Sequence, residues 1–246
     1  MDWWVLVVAG VFGGVLNSVA GGGSFITFPA LMFVGIPPIM ANATNTFAVS
    51  AGYVSGAYGF RHDIAKQPEV VLPIILLSLL GGALGAILLL NISDQLFAQA
   101  IPWLLLFATF LFVAGDKLSQ HLAQYHGARI LLALMLVLVS AYGGFFNAGL
   151  GIVVLSYLVI ANYTDINQMN GLKLLVSSCV SLSAVAVFFW QGVIEWLPGL
   201  AVLVGSVIGG YIAARASRQI NPSYVRNFVT LSSVGMTLYF FVDVYA

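Results

Sequence analysis

Long apolar runs alternate with short polar breaks along the whole chain. Ten segments follow from the pattern, at about 3–19, 24–34, 39–60, 70–90, 96–115, 128–147, 152–161, 167–190, 196–214 and 223–243. A helix rises about 1.5 Å per residue, so about 20 apolar residues cross a hydrocarbon core about 30 Å thick. Eight of the ten runs are long enough to span. The second and seventh are too short to cross and read as half-helices or re-entrant segments.

Those two short runs follow matching breaks. Residues 13–23, GGVLNSVAGGG, resemble residues 143–151, GGFFNAGLG, with Asn17 set over Asn147. The glycine spacing of GGALG at 81–85 returns as GSVIG at 205–209. Pattern and order repeat at an offset of about 124–130 residues, which implies a duplicated half. The expected division is residues 1–120 and 121–246, two repeats of one domain.

Composition sharpens this picture. The chain of 246 residues is 61% hydrophobic and 7% charged, whereas a soluble domain carries about 25% charge. Such a chain cannot cover itself with a water-compatible surface. The expected class is an all-α polytopic membrane protein. Lys plus Arg balance Asp plus Glu at 8 each, so nothing suggests nucleic acid. One cysteine, Cys179, gives neither a disulfide framework nor a thiolate metal cluster, and no cofactor or metal is expected. Asp2 stands where a secretory signal would be positive, so the first run reads as a retained membrane segment.

Charge also sets an expected topology. Arg61 and Lys66 mark one loop as cytoplasmic, Lys117 and Arg129 a second, and Arg215, Arg218 and Arg226 a third. The loops at 91–95 and 191–198 carry only Asp94 and Glu195. The loop at 61–69 would then match an external loop at 191–198, so the two halves are expected to be inverted. Paired short, Gly-interrupted segments in inverted halves are the sequence mark of secondary transporters. Both termini would lie outside the cytoplasm, in a multi-pass protein of the inner membrane.

The glycine breaks are the first candidate site. Irregular backbone inside a bilayer is tolerated where protein buries it or where it lines a watery cavity. Gly21, Gly22, Gly23 and Ser24 on one side, and Gly149 and Gly151 on the other, precede short helices whose N-terminal amides would favour an anion. Tight helix packing is the other use of such glycines, and it suits Gly81, Gly82, Gly85, Gly205, Gly209 and Gly210. ANATN at 41–45 adds Asn42, Thr44 and Asn45, and its counterpart MNGLK at 169–173 adds Asn170 and Lys173. A lysine at the centre of a span costs about 2.5–3.5 kcal/mol on insertion scales, so it faces a partner or a ligand unless it snorkels to the interface. Asn17 and Asn147 flank the two breaks, as donors or as interhelical bonds. His62 and Asp63 are the weaker candidates for carrying a proton. The three histidines fall in or beside loops, and no GxSxG elbow is present, so no enzyme is expected.

GGVLNSVAGGGSFITFPALMFVGIPPIMANATN resembles the opening signature of the sulfite exporter TauE/SafE family, and GGFFNAGLG resembles that family's internal repeat. The likeness covers essentially the whole chain. It implies a permease for sulfite, thiosulfate, sulfoacetate or a related organosulfonate, with export favoured by the family's name. Two departures stand out: the second break is GLG rather than a glycine run, and NGLK replaces a Thr-Ser type of pattern. Lys173 would make the site lopsided and more cationic. A passive anion channel and an importer of a small carboxylate remain the alternatives. The expected partners are a small anionic substrate and the lipid bilayer, with proton coupling and a homodimer left open.

Overall fold

A computed structural model describes residues 3–19, 22–122, 129–216 and 222–245. The described residues are helical throughout, with no strand among them. The order is α1 (Trp3–Val19), α2 (Ser24–Phe33), α3 (Pro38–Gly59), α4 (Arg61–Ile64), α5 (Pro68–Leu90), α6 (Asp94–Leu122), α7 (Arg129–Phe145), α8 (Leu150–Ile160), α9 (Ile166–Trp190), α10 (Trp196–Ala216) and α11 (Pro222–Tyr245). Each expected run corresponds to one helix.

Three differences have local causes. The loop after α3 contains a further turn, α4, because the Phe60 carbonyl accepts from the amides of Asp63 and Ile64. The stretch from Asp116, read as polar loop, continues α6 as far as Leu122. Its Lys, Leu and Gln are good helix formers, and no Gly or Pro interrupts them. Gly151, expected to precede the second short helix, lies inside α8, and the break ends at Gly149 with φ 79°. That left-handed conformation is one a glycine adopts at little cost.

α2 and α8 are short, at 10 and 11 residues. Pro68–Leu90, Asp94–Leu111 and Ile166–Trp190 are long and apolar enough to cross a membrane. α5 shows what surrounds it. Leu72, Leu76, Leu80, Leu84 and Leu88 form one outward row, each about half exposed or more. Ser78, Gly81, Gly85 and Leu89 turn inward. A row of bare leucines is unfavourable against water and natural against lipid.

The most extensive helix pairs are α1 with α10 and α5 with α7. Both are glycine seams. A Cβ at Gly205 or Gly209 would fall on the carbonyls of Val7 and Val11, and one at Gly85 would fall on that of Ala141. α3 packs along α9, and α6 along α11. Where α2, α6 and α11 meet the break before α8, the core is aromatic and closed. Phe28 meets Phe146 at 5.5 Å between ring centroids and Phe240 at 6.3 Å, while Phe97 meets Phe146 at 6.2 Å. All four rings are at most 2% exposed.

An exposed ionic cluster ties α4 to the start of α9. Lys66 Nζ lies 2.6 Å from Asp165 Oδ2 and 2.8 Å from Asp63 Oδ1. Asp165 also caps α9, accepting from the amides of Asn167 and Gln168. Lys66 first, then those two amides, hold the Asp165 carboxyl below its ordinary 3.8. Asp165, followed by Asp63, lifts the Lys66 ammonium above its ordinary 10.5. The signs follow from linkage. The Asp165 contribution is present above 3.8 and is lost as pH falls through its depressed pKa. The Lys66 contribution is present below 10.5 and is lost as pH rises through its raised one. Asp165→Asn is therefore expected to lower the melting temperature at neutral pH and to erase the difference from wild type at strongly acid pH. Thermal unfolding in detergent across pH checks this; a difference independent of pH would contradict it.

Candidate functional site

A cavity of about 660 Å³ opens between α1, α3, α9 and α10. Its wall follows α3 from Ala48 to Phe60, towards the α4 turn. Asn17, Asn170 and Lys173, three of the residues singled out in the sequence, line it together with Tyr53, Ser55 and Ser206. Asn170 and Lys173 reach it because they stand one turn apart on the same face of α9. Lys173 Nζ donates to Asn170 Oδ1 at 3.1 Å. Lys173 is half-buried, and among the described residues no carboxylate pairs with it; both ion pairs there belong to Lys66. A lysine inside an apolar bundle is costly and commonly has a partner there; the one given for Lys173 is a neutral amide.

The other candidates sit around this cavity rather than in it. Asn45 is 1% exposed and braces the start of α2, accepting from the Thr27 hydroxyl and donating to Ser24 Oγ at 3.1 Å. Asn42 Nδ2 donates to the Phe145 carbonyl at 3.1 Å, closing the C-terminus of α7. Thr44 Oγ1 accepts from the Glu195 amide at 2.9 Å, fixing the turn before α10. His62 and Asp63 lie on α4 and do not line the cavity, and Asp63 is held by Lys66. Gly21 lies outside the described residues, as do Arg218 and the tip of the loop after α6.

Much of the donor capacity at the two breaks is used locally. Asn17 Oδ1 accepts from the Gly23 amide at 3.1 Å. The amides of Phe25, Ile26 and Thr27 close onto the carbonyls of Gly22 and Gly23. At the second break the amides of Leu150, Ile152 and Val153 close onto those of Asn147 and Gly149. Gly149 packs against Ala108, and neither Gly149 nor Gly151 lines the cavity. The polar surface open to a ligand is therefore mostly side chain.

Tyr53 is the residue that sequence reasoning passed over. It is 6% exposed, lines the cavity, and donates to Asn147 Oδ1 at 3.0 Å. It stands eight residues after Asn45 on α3, near the same face, and that spacing was the available signal. An aromatic residue in an apolar helix carries no compositional mark, so nothing drew attention to it.

The family model for the sulfite exporter TauE/SafE matches residues 6–240. The chain belongs to the sulfite exporter TauE/SafE family. A probable membrane transporter protein of Haemophilus influenzae is 26% identical over 95% of this chain and 92% of its own length. The probable membrane transporter protein ORF9 of a Sinorhizobium species is 25% identical over 97% of this chain and 92% of its own. The probable membrane transporter protein YfcA of Escherichia coli K12 is 25% identical over 95% and 87%. No solved structure matches the chain. This TauE/SafE protein is a multi-pass membrane transporter, from a family of transporters rather than enzymes. The outward leucine row of α5 is the physical counterpart of a membrane setting.

Proposed function

We propose that this protein is a secondary transporter of a small sulfur-containing anion such as sulfite, thiosulfate or sulfoacetate. Lys173 in its cavity is the observation that carries the reading. Nζ supplies charge, while Asn170, Asn17 and Tyr53 supply neutral polar groups at fixed positions around it. A cavity of about 660 Å³ admits a small oxyanion together with part of its hydration shell. Export is taken from the family's description, and a place in the inner membrane is proposed with it.

Transport would proceed by alternating access between two inverted halves, 1–120 and 121–246, with eight spanning helices and the half-helices α2 and α8. The helix pairing supports this division. α1 lies on α10 as α7 lies on α5, and α2 meets α3 as α8 meets α9. The positive residues at 61, 66 and 129 favour a cytoplasmic mouth beside α4, with both termini on the opposite side.

The experiment is a thermal-shift panel on detergent-purified protein with sulfite, thiosulfate, sulfoacetate, taurine and short carboxylates. A ligand that binds the folded state raises the melting midpoint with concentration. Sulfite or an organosulfonate is expected to do so and the carboxylates much less. A shift with carboxylates alone would move the reading to an organic-acid carrier. For the ligands that shift the midpoint, trans-stimulated exchange in proteoliposomes separates a carrier from a passive channel.

A further inference from the structure

We propose, resting on the transporter reading above, that Tyr53 is a gate: its bond to Asn147 seals a second anion-binding position behind the open cavity. Asn147 is 1% exposed and does not line the cavity. Its Oδ1 accepts from the Tyr53 hydroxyl, and its Nδ2 has no hydrogen-bond partner among the described residues. A buried NH2 group left unspent calls for an explanation, and a partner that arrives in another state supplies one. Tyr53 itself lines the cavity and its hydroxyl reaches Asn147, with the Asn17 and Ser24 side chains beside that hydroxyl.

The comparison of the two halves explains why one asparagine is open and the other sealed. Asn17 and Asn147 occupy matching places in the two breaks. At the offset of 128 that sets Asn42 over Asn170, Tyr53 falls over Ser181. A phenol spans the gap from α3 to the second break. Ser181 has no such reach; its hydroxyl turns back to the Ser177 carbonyl of its own helix at 2.6 Å. Asn147 is therefore covered while Asn17 faces the cavity. An NH2 group donates and does not accept, so the sealed position suits an oxyanion. When the Tyr53–Asn147 bond parts, an anion held at Lys173 gains a second donor deeper in the path. The bond is worth little on its own, which suits a gate that opens in each cycle.

The test needs no identified substrate. Single cysteines are placed at Asn17→Cys and at Ala148→Cys, the buried neighbour of Asn147, in a Cys179→Ser background, so that the Tyr53–Asn147 bond stays in place. Each is reacted with a small membrane-impermeant sulfonate methanethiosulfonate in purified proteoliposomes. Thiol modification reports access. With Tyr53 present, Ala148→Cys is expected to react at least about tenfold more slowly than Asn17→Cys, and Tyr53→Ala should bring the two within about threefold. Equal rates with Tyr53 present would overturn the gate, and so would an unchanged Ala148→Cys rate in folded Tyr53→Ala protein. Should Tyr53→Ala not be recovered, Tyr53→Leu takes its place, and the first comparison decides by itself. Because labelling requires no sulfite, its failure is distinguishable from failure of the sulfite reading, which the ligand panel and the Lys173 variants address.

Discussion

Lys173→Met is expected to abolish most sulfite flux in proteoliposomes while leaving the protein as stable as wild type or more so. The two halves of that statement have separate causes. A hydrogen bond to a charged group contributes about 1.5–3 kcal/mol, and each 1.4 kcal/mol is about tenfold in affinity. Removing the ammonium should therefore weaken anion binding by roughly ten- to a hundredfold. Stability moves the other way, because Lys173 has no carboxylate partner among the described residues and is half-buried. A lysine in a span costs about 2.5–3.5 kcal/mol on insertion scales, and methionine fills nearly the same volume without that cost. Retained flux would remove Lys173 from the site; lost flux with a collapsed melting temperature would make it structural.

Asn45→Ala is the informative contrast. It too should cut flux, but with a lowered melting temperature. Asn45 is 1% exposed and holds Ser24 and Thr27 at the start of α2. Its truncation leaves buried hydroxyls short of partners, at about 1–3 kcal/mol each. Two variants with the same loss of transport would thus separate into a binding defect and a folding defect by one calorimetric measurement.

The second large effect is on the glycine seams. Gly85→Leu and Gly209→Leu are each expected to prevent recovery of folded protein, and Gly85→Ala alone to cost about 1–3 kcal/mol. A Cβ at Gly85 would occupy the position of the Ala141 carbonyl, and one at Gly209 that of the Val11 carbonyl. Those atoms are backbone, so relief requires the helices to part along the two most extensive seams. Within a bilayer little holds helices together except such close packing, because lipid is as apolar as leucine. Gly52→Ala is the control, for nothing lies within 4 Å of its Cβ. It should melt within about 0.5 kcal/mol of wild type. Fluorescence size-exclusion chromatography and thermal unfolding would read both; equal tolerance at Gly52 and Gly85 would refute the seam.

What the chain itself determined is the set of elements and their solvent. Apolar length placed the long helices, and the glycine breaks marked the starts of the two short ones, because backbone hydrogen bonding in lipid leaves little choice. Lys173 and Asn17 were legible as polar groups in apolar surroundings. Their company was not. Whether Asn42, Thr44 and Asn45 face a ligand or brace a neighbouring backbone depends on which helix lies opposite, and a helix periodicity carries no such information. The same holds for Tyr53, whose partner Asn147 is 94 residues away. Tertiary structure alone decided that α2, α6, α11 and the break before α8 meet in a buried cluster of phenyl rings, and that Asn17 of α1 shares one cavity with Asn170 and Lys173 of α9. Packing partners so distant in sequence are selected by shape, glycine against carbonyl and ring against ring.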